Sequence, residues 1–546
     1  MAVSDSSDPR RKPHPIDTGD TFDHVVVGAG SAGAVLAARL SEDPTRRVLL
    51  LEAGGEADAD EVSIPAAFPN MFRTRWDWNY LTTEQKQLHG RRAYWPRMKA
   101  LGGCSSMNAM IYVRGNHADY DAWRDEHGAE GWGFEDCLPY FVKAEDNQRL
   151  GGPWHGQGGP LRVEDRVWTH ELSEAFVDSA VGAGLKRNDD FNGAEQEGAG
   201  LYQVTCHRGR RWSVDEAYLK PVRHRPNLRV GTGAFVTGVE IGGGDTPRAT
   251  GVRFRHGGRE YVVHARREVV LAGGAVNSPQ LLMLSGVGPA SHLREHGIDV
   301  VADLPGVGAN LQDHPAVPLI WYTRGTTDLV EHSTLGNLLR WKARGNGPLA
   351  SNVGESGAFF HTREGLRAPD LQVHVAPTGF YDNGMHEPTS RMVTAAPTLV
   401  SVASRGTLRL RSADPTWHPA IDAAYFDDPA DLDAMVAGAR RVWEIATQGA
   451  LSSYLERPWN LPEDPGEEDL VEHVRTYAQT LYHPTSTCAM GSSEDAVVDA
   501  RLRVRGVDGL RVVDASVMPA VPRGNTNAPV IMVAEKAADL MKDDDR

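Results

Sequence analysis

Residues 24–33 read His-Val-Val-Val-Gly-Ala-Gly-Ser-Ala-Gly. A short apolar run, His24 to Val27, ends directly in Gly28-x-Gly30-x-x-Gly33, and a helical pattern of small residues follows from Ala34 to Leu40. The order is strand, tight turn, helix. Gly28 permits the turn, Gly30 lets the backbone approach a pyrophosphate, and Gly33 lets helix and strand pack closely. Phosphates at such a turn sit on the free N–H groups and positive dipole end of the helix, here Ser31, Ala32 and their neighbours.

By itself the glycine pattern is a weak signal. The next apolar run, Arg47 to Leu51, strengthens it, because it ends in Glu52, 19 positions after Gly33. A carboxylate there, beside Ala53, binds both hydroxyls of an adenosine ribose and repels a 2′-phosphate. The expectation is an adenine dinucleotide site that excludes an NADP-type ligand.

The chain has 546 residues, enough for two cores and too many for one simple nucleotide-binding unit. Its net charge of −16 argues against nucleic acid or an anionic membrane surface as a partner. Residues 1–20 are polar, without the apolar stretch of a signal peptide, and read as a loose disordered tail. No 18-residue apolar run occurs, so no membrane span is expected. Cys104, Cys137, Cys206 and Cys488 are too widely spaced for a zinc knuckle or a disulfide framework. A cytoplasmic protein with four reduced thiols and no metal is expected.

After Gly55 the helix–strand alternation lapses. Residues 60–95 carry Trp76, Trp78, Tyr80, Tyr94 and Trp95 and read as a long excursion covering the nucleotide. Leu101-Gly102-Gly103-Cys104-Ser105-Ser106-Met107-Asn108 follows, where two glycines and small hydroxyl residues allow close backbone approach to a flat ring or a phosphate. The Arg208, Arg210, Arg211 cluster reads as a solvated basic face. Strand character returns from Leu228, and Glu268 to Leu284 is a second strand–turn–helix unit. Residues 316–476 look like a separate region with a long helix near Leu432 to Thr447. Gly509 to Val513 is a closing strand, Pro519 to Pro529 a loop, and Val530 to Met541 a last helix. Nucleotide-binding features thus occur at the start, middle and end. A discontinuous α/β domain explains this, over residues 21–160, 226–315 and 478–546, with a second domain built from 161–225 and 316–477.

Gly102 to Asn108 and Gly274-Ala275-Val276-Asn277-Ser278-Pro279-Gln280-Leu281-Leu282-Met283-Leu284-Ser285-Gly286-Val287-Gly288 match the two long motifs of the glucose–methanol–choline oxidoreductases. Asn310 to Pro315, Tyr482-His483-Pro484 and Val513 to Pro519 also resemble that family, so the resemblance covers residues 20–541. It implies FAD rather than NAD, a Rossmann-like α/β FAD domain, an antiparallel-sheet (α+β) substrate domain, and oxidation of an alcohol by hydride transfer to flavin N5. It places Gly28, Gly30 and Gly33 on the pyrophosphate and Glu52 on the ribose. Gly102, Gly103, Ser105 and Asn108 fall against the flavin, Asp514 and Ala515 on the pyrophosphate and ribityl chain, and Val236 near the adenine.

Alcohol oxidation needs a base for the hydroxyl proton, and an imidazole suits that task. The family resemblance assigns it to His483. The family's second position is a His or Asn, 44 residues later in choline oxidases, which gives Asn527. An Asn cannot take the proton but can donate a hydrogen bond to the developing alkoxide. Two departures narrow the reading. Met107 stands where choline oxidases carry the His that links to FAD, so FAD is expected to be non-covalent. Ala316 replaces the Glu that neutralises choline's cation, so an uncharged, primary alcohol is expected, with O2 or another acceptor taking the electrons. His374 aligns with a substrate-pocket His, or else faces a sheet interior. The alternatives are a lyase on the same fold (hydroxynitrile lyase or fatty-acid photodecarboxylase type) and a non-catalytic flavin-binding protein.

Overall fold

The computed structural model describes residues 16–243, 246–386 and 388–544, so most of the expected N-terminal tail lies outside the described residues. Two sheets organise the chain. The first has a parallel core in the order Leu228–Gly231, Val48–Leu51, Thr21–Val27, Arg259–Leu271, Leu510–Val512. Val25, Val26, Leu49, Leu50, Val269 and Val270 are wholly buried. Burial on both faces is why these strands read as continuous apolar runs rather than alternating ones. The Ser31–Leu40 helix packs on this sheet, and the Asn527–Asp544 helix packs against it.

One strand is longer than the sequence pattern suggests. Arg259–Leu271 runs 13 residues; its first half closes an antiparallel meander with Arg248–His256 and Phe235–Gly242, and its second half joins the parallel core. The polar residues of its first half face solvent, which hides them from a search for apolar runs.

The second sheet is antiparallel, in the order Leu455–Pro458, Leu319–Thr323, Met392–Leu399, Leu371–Ala376, Ser356–Phe360, Gly198–Leu201. The two-residue strands Pro315–Ala316 and Gln479–Thr480 attach to it. Side chains alternate between its faces. Val373, Val375, Val393 and Ala395 pack on the helices Glu171–Gly182 and Pro429–Gln448 through Leu172, Phe176, Ala439, Val442 and Trp443. The intervening His374, Ala376, Thr394 and Ala396 face the other way, into a cavity.

The expected boundaries shift in two places. Residues 214–219 were placed with the second domain but bury Val214, Ala217, Tyr218 and Leu219 in the first core, against the Ser31–Leu40 helix. Residues 479–480 were placed with the first domain but pair with the second sheet. Each is a crossing point of the chain, where a few buried contacts outweigh sequence position.

Candidate active site at the junction of the two sheets

A cavity of about 580 Å³ runs between the two sheets, within the usual range for ligand sites. Its nucleotide end is built by close backbone approach. Gly28 has φ +101°, and a Cβ there would lie 2.5 Å from the Ala272 carbonyl oxygen. A Cβ on Gly33 would lie 1.8 Å from the Gly28 carbonyl oxygen, so only glycine lets the first helix start this close to the strand. Glu52 sits at the strand end, its Oε2 accepting from Ala29 N at 2.9 Å and its Oε1 from Gly54 N at 2.8 Å. Burial raises its pKa, and the Gly54 and Ala29 amides work against that.

The second glycine loop lies on the first. Gly102 N donates to Ala29 O at 2.8 Å, and a Cβ on Gly103 would meet Gly30 Cα at 2.5 Å. Arg211 holds this loop, donating from Nη1 to Asn108 O at 2.6 Å, Asn108 Oδ1 at 2.8 Å and Ser105 O at 3.2 Å. It is 4% exposed. The reading of all three arginines as a solvated face is therefore corrected at Arg211: the loop's orphan carbonyls draw its guanidinium inward. Ser105 Oγ donates to Gly102 O and accepts from Val214 N, an internal brace rather than part of the wall.

Asp514 lines the cavity, but its carboxylate accepts from Gly274 N, Ser278 Oγ, Ser516 N and Ser516 Oγ at 2.6–2.8 Å. It ties the Gly274–Leu284 helix start to the last strand. Val236, Ala53, Ser31, Ala32, Asn108 and Ala515 line the same cavity, whereas Gly33, Gly102 and Ser105 stand behind its wall.

At the other end stands His483. Its backbone N donates to Asp313 Oδ1 at 2.8 Å; Asp313 Oδ2 accepts from Thr480 Oγ1 at 2.6 Å and from Tyr425 OH. Arg97 Nη2 donates to Tyr482 O at 2.7 Å. Tyr482, immediately before His483, has φ +69°, and Val353 on the cavity wall also has φ +69°. Non-glycine residues in this region cost about 1–3 kcal/mol each, so the surrounding bonds hold the segment in place.

His483 Nδ1 lies 3.0 Å from His314 Nδ1, and its Nε2 lies 3.4 Å from Asn525 Nδ2. Asn525 Oδ1 accepts from Gln372 Nε2 at 3.3 Å, which orients its amide. With the amide nitrogen facing His483, the network assigns the His483 proton to Nδ1, donated to His314, and leaves an Nε2 lone pair. Burial is the main force lowering the His483 pKa well below the ordinary value, followed by His314, His374 and Arg97. Burial likewise pushes His314 down to about 3, with His374 and Arg523 adding to it. Burial therefore favours the neutral form of the His483 imidazole.

Asn527 is the position to correct. It was expected beside His483 in a loop; instead it opens the last helix, and its Oδ1 accepts from Ser31 Oγ at 2.7 Å. It lines the cavity at the nucleotide end. Pro529 was the missed signal: proline belongs in a helix's first turn, which puts the helix start at 527 and leaves Asn525 in the preceding loop. His314 and Asp313 belong to the Asn310–Pro315 stretch, but only the fold brings them to His483.

His374 reaches the cavity, with Nδ1 3.2 Å from Thr398 Oγ1. Burial pushes its pKa down to about 3. The folded chain keeps it neutral, while the unfolded chain protonates it near pH 6.5. Its contribution to stability is thus present above pH 6.5 and is lost as pH falls towards the folded value. The slope is about 1.4 kcal/mol per pH unit. Denaturant titrations at pH 7, 6 and 5 should give a shallower pH dependence for His374→Leu by that amount.

Beyond the imidazoles the wall is apolar: Phe68, Phe72, Phe380, Tyr482, Val353 and Ala316. Phe72 lies 5.8 Å from Tyr482 and 5.9 Å from Phe68, ring centre to ring centre. The acidic residues of the whole cavity are Glu52, Asp77 and Asp514. Asp77 accepts from Arg73 N, Asn79 N, Arg97 N and Tyr94 OH. All three carboxylates are bonded within the protein, Glu52 and Asp514 beside the nucleotide turn and Asp77 to those four donors.

Family models described as GMC oxidoreductase match residues 22–316 and 402–534. An uncharacterised GMC-type oxidoreductase of Mycobacterium tuberculosis is 45% identical over 95% of this chain and 99% of its own. Mitochondrial choline dehydrogenase of Mus musculus is 42% identical over 96% of this chain and 90% of its own. A structure of Aspergillus oryzae formate oxidase, solved to follow modification of its FAD, superposes with a TM-score of 0.90 at 28% identity, covering 97% of this chain and 99% of the other.

Proposed function

The chain belongs to the GMC oxidoreductase family, an FAD enzyme acting on CH–OH groups, and from that premise we propose that it oxidises an uncharged primary alcohol, with His483 as base and Asn525 as alkoxide partner. The observation that carries this reading is the pairing of a neutral His483 with the Asn525 amide at an apolar cavity end that has no free carboxylate. The walls fit FAD: Gly28 and Gly30 line the cavity at a turn where a Cβ on Gly28, or on Gly33 behind it, would strike backbone, and Glu52 stands where a ribose hydroxyl pair would bind. Bound there, FAD supplies the hydride acceptor.

The residues of the chain do the rest. His483 Nε2 takes the alcohol proton, and the Nδ1–H held by His314 keeps that lone pair aimed at the cavity. The Asn525 amide donates to the oxygen as negative charge develops. Phe68, Phe72, Phe380 and Val353 exclude water and strengthen both interactions. Choline fits less well, because Ala316 offers its fixed positive charge no counter-carboxylate.

Anaerobic flavin bleaching by a panel of alcohols tests the reading. Neutral primary alcohols such as benzyl alcohol and hexanol should bleach the flavin, and choline should do so far less. Bleaching by choline alone, or turnover of a nitrile or fatty acid with no alcohol active, would refute it. Parallel assays with O2 and a dye identify the acceptor. With Met107 on the cavity wall in place of a linking His, FAD is held non-covalently. Acid precipitation should release essentially all the flavin to the supernatant; flavin in the pellet refutes this.

A further inference from the structure

Leu335–Arg344 is a surface helix turned against the usual rule. Its inward face is Trp341, fully buried against Ile64 and Ala350. Its outward face is Leu335, 71% exposed, Leu339, 59% exposed, and the exposed Ala343. On a helical projection Arg340 flanks this stripe on one side and Lys342 on the other. Arg344 closes the helix.

Neighbouring elements extend the pattern. The Cys206–Arg211 hairpin braces the helix: Trp341 Nε1 donates to Gly209 O at 2.8 Å, and the Arg210 guanidinium lies 4.0 Å over the Trp341 ring. Arg208 and Arg210 at its tip are exposed. Val167, beside Gly209, and Val330, just before the helix, are also exposed. The nearby acids are largely committed, Asp60 to Lys342 at 2.8 Å and Glu331 to Arg391; Glu61 follows Asp60 at the margin.

We propose that this face docks on an anionic lipid bilayer, with Leu335 and Leu339 in the headgroup–acyl boundary and Arg208, Arg210, Arg340 and Arg344 on the lipid phosphates. An outward apolar stripe with basic flanks is the pattern of an interfacial helix. A second copy of the chain would set like charges against each other across the same patch. A nucleic acid would leave the leucines unused. The net charge of −16 weighs against an anionic surface only for the chain as a whole; at this basic face, charges more than a Debye length away are screened at physiological salt. Among the described residues no helix is long and apolar enough to cross a membrane, so the contact is peripheral. Trp341 shares its buried cluster with Ala67, next to Phe68 of the cavity wall, so the docked face lies on the far side of that cluster.

The test uses the untagged full-length protein loaded with FAD. It is sedimented with vesicles of 70:30 phosphatidylcholine to phosphatidylglycerol, or of phosphatidylcholine alone, at 50 and 500 mM NaCl. The anionic vesicles should carry down at least fivefold more protein at low salt, and high salt should release it. Both L335D/L339D and R340E/R344E should cut the bound fraction about tenfold, with flavin content and melting temperature unchanged. Equal binding to both vesicle types overturns the proposal, as does binding that survives L335D/L339D. So does a lipid-free dimer that this double variant dissociates, which would make the face a contact between copies.

Discussion

His483→Ala should keep FAD bound and lower the rate of alcohol-dependent flavin reduction by about 10²–10⁴-fold, the span that a positioned general base supplies. The size of the loss follows from the site. His483 is the imidazole whose Nε2 lies beside Asn525, 3.4 Å from its amide nitrogen, while its Nδ1 is held by His314. Single-turnover mixing under anaerobic conditions reads the step directly. The pH profile is a second readout. Burial holds the His483 pKa well below 6.5, so kcat/KM should stay flat from pH 8 to 6 and fall only in more acid solution, when Nε2 takes a proton. Full activity in His483→Ala, or an acid limb near pH 7, would remove His483 from the role of base.

Asn525→Ala should cost about 10²-fold in the same measurement, roughly 2.7 kcal/mol, typical of losing one preorganised donor to a developing oxyanion. Asn527→Ala should behave differently. Its amide is bonded to Ser31 at the start of the first helix, so its loss should weaken FAD retention and leave the reduction rate of the loaded enzyme within a few-fold. The two variants separate the roles cleanly. If Asn527→Ala abolishes reduction while Asn525→Ala does not, the hydrogen bonding around His483 has been misassigned.

The confusion between these two asparagines shows what spacing can and cannot carry. Counting 44 positions from His483 assumes that the intervening loops keep a fixed length, and loops are where length is free to vary. The distance from His483 to Asn525 is 42 positions instead. Pro529 was the better ruler, because its ring restricts where a helix can begin. At Arg211 the lesson is similar. Three arginines in four positions look alike in sequence, yet Arg208 and Arg210 reach solvent while Arg211 is drawn onto backbone carbonyls.

Local chemistry settled the nucleotide turn within the sequence itself. A positive φ at Gly28, a helix start that tolerates no Cβ at Gly33, and a carboxylate at the next strand end are constraints on a short stretch of chain, and residue type alone satisfies them. The family motifs extended that reading to FAD and to alcohol chemistry. Tertiary structure alone decided the rest. It set His314 and Asp313 against a histidine about 170 residues away, placed Asn525 rather than Asn527 beside that histidine, and closed every cavity carboxylate with a donor. It also turned Leu335 and Leu339 outward among arginines. These are matters of burial and of which polar groups meet. They depend on contacts between distant segments, whose energies exist only once the two sheets have packed.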